Sequence, residues 1–218
     1  NVVSDFRIAD INRGGEGAPL VPIFHKNVIL QKDFDLPLGV LNLGGVSNIT
    51  IIKNEKSLIG FDTGPGNGPL DLLIYKRLNI LMDKNGSIAN TGNTNKTIKE
   101  KTLNLFKKNN KSISFDRNKL DKICLTYMDT LNINDALATL IDLITEIIYI
   151  KIKKYNLKKV IVTGGGRKNK VFIKSLQKKF AIEVLVAENI GLNGDSLEAE
   201  AFGYLAVRSM LGKPYTFK

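Results

Sequence analysis

The chain has 218 residues, 43% of them hydrophobic and 24% charged; this excludes wholesale disorder, and a chain of this length buries about 70% of its unfolded surface. One cysteine, Cys124, excludes an intramolecular disulfide and a multi-cysteine zinc site, and one histidine, His25, excludes a histidine-rich centre. Thirty-two Lys and Arg against 21 Asp and Glu leave a net charge of +11, but the lysines scatter among Asn and Ile without interleaved aromatics, so a solvated basic surface is expected and not a nucleic-acid partner.

The chain starts at Asn1 and not Met, with Val2-Val3 already strand-like. It therefore reads as a piece of a longer parent or a processed product. No signal-peptide pattern and no apolar run of about 18 residues is present, so no membrane span is expected and a reducing cytoplasm is the default. Residues 1–11 read as a strand, followed by the glycine-rich stretch Arg13 to Pro19. Residues 39–43 form a short apolar strand broken by Gly44-Gly45, and residues 48–53 a β-branched one. Residues 58–61 form a third, ending at Asp62, before Gly64-Pro65-Gly66-Asn67-Gly68-Pro69 forces a tight loop. A helix is predicted over 70–82.

The middle is more polar: residues 83–95 are turn-rich, and helices are expected over 94–108 and 117–130. The lysine-rich stretch from Lys107 to Lys111 reads as a loop. Asn134 or Asp135 is the expected cap of a long helix running to about Tyr155, and its stripe of Leu137, Leu140, Ile141, Ile144, Ile147 and Ile148 is core. The last third alternates: strand 159–163, turn Gly164-Gly165-Gly166, helix 169–180, strand 182–187, final helix from Asp195 to about Leu211. That alternation implies parallel pairing in an α/β layer, whereas the first half implies antiparallel pairs.

Three glycine clusters follow apolar strands, at 44–45, 64–66 and 164–166. Glycine lets backbone approach a ligand, and unpaired N–H groups there cradle phosphate oxygens. Ligands of open α/β sheets bind at such strand ends. Asp62 either takes a proton from an attacking water or hydroxyl, or caps its own turn. Glu198 either completes a capping box with Asp195 or faces a substrate. Arg7 and Asp10 are surface residues or strand-end ligands. His25 reads as a structural histidine and Cys124 as a small core residue. No Walker A, Gly-x-Ser-x-Gly or HExxH string is present.

Taken together, Ser4 through Asp10, Gly14 through Pro22 with His25, Leu41 through Asn48, Gly60 through Asn67, Gly164 through Gly166, and Leu197-Glu198 before Ala201-Phe202 resemble the anhydro-N-acetylmuramic acid kinase family. The resemblance spans essentially the whole chain. It implies an actin/hexokinase-like (ribonuclease H-like) α/β fold, a mixed sheet with flanking helices. Residues 1–38 would then be a remnant of the inter-lobe substrate-binding region and residues 39–218 the C-terminal ATPase lobe. It implies ATP and Mg²⁺, and a reaction in which water opens the 1,6-anhydro ring while O6 is phosphorylated, giving N-acetylmuramic acid 6-phosphate in peptidoglycan recycling. Asp62 would be the base that activates the water. Arg7, Asp10, Asn67 and Glu198 would bind the sugar. Gly44, Gly45, Ser47, Asn48, Gly64, Gly164, Gly165 and Gly166 would bind ATP; no metal ligand is assigned.

The resemblance also implies a homodimer, and a further N-terminal lobe carrying Ser-Gly-Thr-Ser-x-Asp-Gly and Gly-Ser-His-Gly-Gln-Thr strings. Neither occurs in these 218 residues, so little kinase activity is expected of this polypeptide alone. Ile8 stands where the family pattern suggests a basic residue. The rival readings are a non-catalytic nucleotide-binding module and a basic nucleic-acid-binding protein; ADP binding without sugar marks the first, steep salt-dependent duplex binding the second.

Overall fold

The computed structural model describes residues 2–15, 17–109 and 116–216. Glu16, and the part of the lysine-rich stretch beyond Asn109, lie outside the described residues. A five-stranded sheet in the order β3-β2-β1-β4-β5 organises the molecule. Its strands are β1 (Leu38–Leu43), β2 (Val46–Asn54), β3 (Ser57–Pro65), β4 (Lys159–Thr163) and β5 (Glu183–Val186). β1 and β2 pair antiparallel, as do β2 and β3, whereas β1–β4 and β4–β5 are parallel. Only β2 therefore runs against the others, and the carboxyl ends of β1, β3, β4 and β5 share one edge. Antiparallel neighbours in the first half and parallel ones in the last third are as the sequence predicts.

Alternation along each strand sorts side chains to two faces. One face carries Leu41, Leu43, Ile49, Ile51, Val160 and Val162, all buried in the main core. It is covered by α3 (Gly68–Leu78), α4 (Lys96–Asn109), α5 (Arg117–Leu125), α6 (Ile133–Ile152) and α7 (Lys170–Phe180). The stripe Leu137, Leu140, Ile141, Ile144, Ile147 and Ile148 of α6 is buried in this core, each such side chain contributing about 1.5–3 kcal/mol. The opposite face carries Leu38, Val40, Ile52 and Ile161 under Ile29 of α2 (Pro22–Leu30). α8 (Leu197–Met210) packs on α2 through Leu197, Ala201 and Phe24. The short α1 (Phe6–Ile11) leans on it through Phe6, whose ring lies 5.8 Å from Phe202 and 5.6 Å from Tyr215.

The structure corrects four expectations. Residues 6–11 are helical and not strand, because the side chains that pack there, Phe6 and Asp10, are spaced for a helical turn. The cap of α6 is Asn132, not Asn134 or Asp135: its side chain accepts from the Asp135 N–H at 2.9 Å and donates to the Asp135 carboxylate at 2.7 Å. β3 continues through Pro65, so Asp62 lies within a strand and not at its end. Asp195 and Glu198 form no capping box: Ser196 is the cap residue of α8 without a side-chain cap bond, and Asp195 is engaged by Arg167 and Lys168.

Among the described residues no helix is long and apolar enough to cross a membrane.

Candidate functional site

A row of polar side chains crosses the sheet on its α2–α8 face. Asp62 of β3 registers with Asn48 of β2, Asn48 with Asn42 of β1, and Asn42 with Thr163 of β4. These are the outermost positions of the face whose inner positions carry Val40, Ile52 and Ile161. The row lies where the apolar layer stops and the carboxyl ends begin.

Above the row is a cavity of about 370 Å³, within the size range of small-molecule sites. Asn42, Asn48 and Thr163 form its floor; Gly164, Gly165, Arg167, Gly194, Asp195, Leu197, Glu198 and Phe202 form one wall. Arg7, His25 and the apolar run from Ala18 to Val21 form the other.

Of the residues assigned from sequence, Arg7, Glu198, Asn48, Gly164 and Gly165 meet at this cavity. Asp62 does not line it, but stands half-buried beside Asn48 in the same row. Asp10 is buried on α1, where its carboxylate accepts from the Gly17 N–H at 2.8 Å. It borders a second groove with Arg13, Gly14 and Gly15. Asn67 precedes α3, and its amide donates to Asp71 at 2.8 Å.

The glycine clusters differ in kind. Gly44-Gly45 is the β1–β2 turn, and its carbonyls accept from the N–H groups of Gly66, Asn67 and Gly68. Those amides are consumed by the hairpin and are not left open for an anion. A Cβ on Gly66 would stand 2.2 Å from the Gly44 carbonyl oxygen, one on Gly45 3.1 Å from the Arg117 guanidinium, and one on Gly64 2.9 Å from Ile147. These glycines serve close packing of the chain on itself. Ser47 is fully buried; its hydroxyl meets Thr63 Oγ1 at 2.7 Å and the Gly64 and Pro65 carbonyls at 3.1 and 2.9 Å. In the 164–166 cluster, Gly164 and Gly166 abut Asn42 and Leu43, whereas Gly165 has open space where a Cβ would be.

Arg167 ties the β4 corner to the entrance of α8 within one wall of the cavity. Its side chain is 3% exposed, and Nη1 donates to the Gly164 carbonyl at 2.9 Å, Nε to Glu188 at 2.8 Å and Nη2 to Asp195 at 2.9 Å. Burial opposes its charge, but the hydrogen bonds and fields of Glu188 and Asp195 outweigh it and hold the guanidinium protonated. Hydrogen bonding from Arg167 lowers the Glu188 carboxyl below its usual range; Lys168, then Arg167, do the same for Asp195. His25 is buried with Nδ1 2.9 Å from Thr50 Oγ1, and burial lowers its pKa to about 4. It lines the cavity as a neutral imidazole at pH 7. Among the described residues no three His, Cys, Asp or Glu side chains gather as a metal-ligand set.

Sequence reasoning missed Asn42, Thr163, Arg167 and Phe202 as cavity residues. Asn42 had a signal: it is the amide in an otherwise apolar strand, at a position that alternation puts on the same face as Val40. Arg167 follows directly on the third glycine, but its acidic partners lie 21 and 28 residues away.

The anhydro-N-acetylmuramic acid kinase family profile matches residues 1–217. A protein of that name from Pelagibacter ubique is 39% identical over 100% of this chain and 60% of its own length. Another, from Roseobacter denitrificans, is 39% identical over 98% of this chain and 59% of its own. The chain thus spans about 60% of the length of these relatives. Among solved structures, component A of the (R)-2-hydroxyglutaryl-CoA dehydratase of Acidaminococcus fermentans superposes with a TM-score of 0.52 at 13% identity. The match covers 84% of this chain and 68% of that one. That likeness is one of fold alone, the actin/hexokinase-like α/β architecture.

Proposed function

This chain belongs to the anhydro-N-acetylmuramic acid kinase family, and from that membership we propose that its cavity is where an anhydro-amino sugar meets ATP. The observation that carries the reading is the convergence of Arg7 and Glu198, assigned to the sugar, with Asn48, Gly164 and Gly165, assigned to the nucleotide, on one cavity. Asp62, next in the polar row after Asn48, is the base. It takes a proton from water as the water oxygen bonds to C1 of the sugar; the C1–O6 bond breaks, and O6 bonds to the γ-phosphorus as ADP leaves. Asp10 and Asn67 act in this scheme through the loops they hold, and Gly44, Gly45, Ser47, Gly64 and Gly166 through the shape of the strand ends. When bound with the nucleotide, Mg²⁺ would supply charge neutralisation to the phosphates. The described residues offer it no ligand set of their own, and no step here is routed through it.

Residues 1–38 bring Arg7 to the sugar side of the cavity, and residues 39–218 bring Glu198 to that side together with the nucleotide side. The product would be N-acetylmuramic acid 6-phosphate, made in the cytoplasm during peptidoglycan recycling. The exposed apolar run of Tyr75, Leu78, Ile80, Leu81 and Met82 supports a homodimer.

Calorimetric titration of the 218-residue chain with 1,6-anhydro-N-acetylmuramic acid, and separately with MgADP, tests the reading. Sugar binding that Glu198→Ala abolishes is the expected result. Binding of MgADP with none of the sugar would replace it with a nucleotide-binding module, and binding of neither would overturn it.

A further inference from the structure

Arg167 is a buried charge with no role in the chemistry proposed above. It immediately follows the glycine corner, yet its guanidinium reaches two other segments: the turn that holds Glu188 and the entrance of α8 at Asp195. It also closes back on the Gly164 carbonyl. Lys168 adds a second tie to Asp195, at 2.7 Å. The chain leaves room for this fork: a Cβ on Gly194 would stand 2.1 Å from Arg167 Nε. Among the described residues, the hydrogen bonds and ion pairs between the β4 corner and the α8 entrance all come from Arg167 and Lys168.

We infer that Arg167 is a positioning residue that holds Gly165 of the β4 corner and Glu198 of the α8 entrance, both in the same wall of the cavity, at a fixed spacing and so sets the ligand affinity of the cavity. The planar fork suits such a brace, because it meets carbonyl and carboxylates in one plane, which a lysine ammonium cannot reproduce. The affinity half of the inference rests on the functional reading above. The mechanical half does not.

The test uses the 218-residue chain and two variants, Arg167→Lys and, with the arginine left in place, Glu188→Gln. Amide hydrogen exchange without ligand reads the mechanical half. In Arg167→Lys, exchange rises at least tenfold at residues 164–166 and 195–198 together, with the β1–β2 ladder unchanged; in Glu188→Gln the same two segments rise several-fold. Unchanged exchange, or an equal rise in the ladder, overturns the inference. Titration with 1,6-anhydro-N-acetylmuramic acid and with MgADP, normalised to folded protein, reads the affinity half. Arg167→Lys weakens binding at least tenfold, whereas an arginine that only stabilised the fold would leave the affinity of folded molecules unchanged, and that result overturns the inference. A parent chain that binds neither ligand sinks the functional reading, and the exchange pattern then decides the role of Arg167 alone.

Discussion

Asp62 faces Asn48 across the β2–β3 ladder, directly beside the irregularity in register between Ser47 and Asn48. The irregularity leaves Thr63 without a register partner, between Asp62↔Asn48 and Gly64↔Ser47. It keeps Asp62 on the cavity-side face while Gly64 turns against Ile147 of α6. A carboxylate fixed within a strand loses little entropy when it takes up a proton, which suits a general base.

Asp62→Asn keeps the size and removes the basicity. We expect whatever ATP-dependent turnover of the anhydro-sugar the 218-residue parent retains to fall by about 10²–10⁴-fold, with sugar affinity retained. Coupled ADP release at saturating substrates, set beside calorimetry, measures both. A rate within about tenfold of the parent would remove Asp62 from the role of base.

Gly66 and Gly165 separate packing from access. Alanine at Gly66 drives its Cβ to 2.2 Å from the Gly44 carbonyl oxygen, where the neighbour is backbone and cannot swing away. We expect Gly66→Ala to cost about 1–3 kcal/mol in urea unfolding. Alanine at Gly165 meets nothing within 4 Å, so stability should stay within about 0.5 kcal/mol, while the new methyl enters the cavity and weakens ligand binding. Equal destabilisation by the two would contradict this division.

That division also shows why part of the site was not legible in the sequence. The strands and the α6 stripe were readable because burial imposes a local period that side chains must obey. Glycine clusters were readable too, but not what each glycine is for. The same letter serves Gly66, pressed against a carbonyl, and Gly165, open to a cavity, and the difference lies in which way an absent Cβ would point. Arg167 was illegible for another reason. Its meaning lies in Glu188 and Asp195, which come beside it only because β5 returns parallel to β4. Residues 6–11 misled because their short apolar spacing suits a strand as well as one helical turn, and only Phe202 and Tyr215 decide it.

Ser47 was assigned to the nucleotide, and its surroundings predict a different phenotype. Its hydroxyl is fully buried and shared among Thr63 Oγ1 and two carbonyls. Ser47→Ala leaves those groups short of a donor, which costs about 1–3 kcal/mol. Denaturant midpoints should fall accordingly, and the MgADP affinity of the folded protein should not change. A loss of affinity without a loss of stability would restore Ser47 as a direct ligand.

His25 gives the fold a pH dependence of definite sign. Burial lowers its folded pKa to about 4 from the ordinary 6.5, so between these limits the unfolded chain binds a proton that the folded chain refuses. Stability from the neutral imidazole is fully present above about pH 6.5 and drains away as pH falls toward 4, by on the order of 3 kcal/mol in all. Glu188 and Asp195 also have lowered pKa values, but they withdraw stability only as pH falls below the ordinary carboxylate range. The two effects therefore separate by pH. Urea unfolding of the parent and of His25→Gln between pH 7 and pH 4.5 reads the difference. The variant should be less stable at pH 7, because its contact with Thr50 Oγ1 at 2.9 Å is altered, yet lose much less on acidification. Parallel slopes for the two proteins across that window would mean that His25 is protonated without cost, and so is not buried as described.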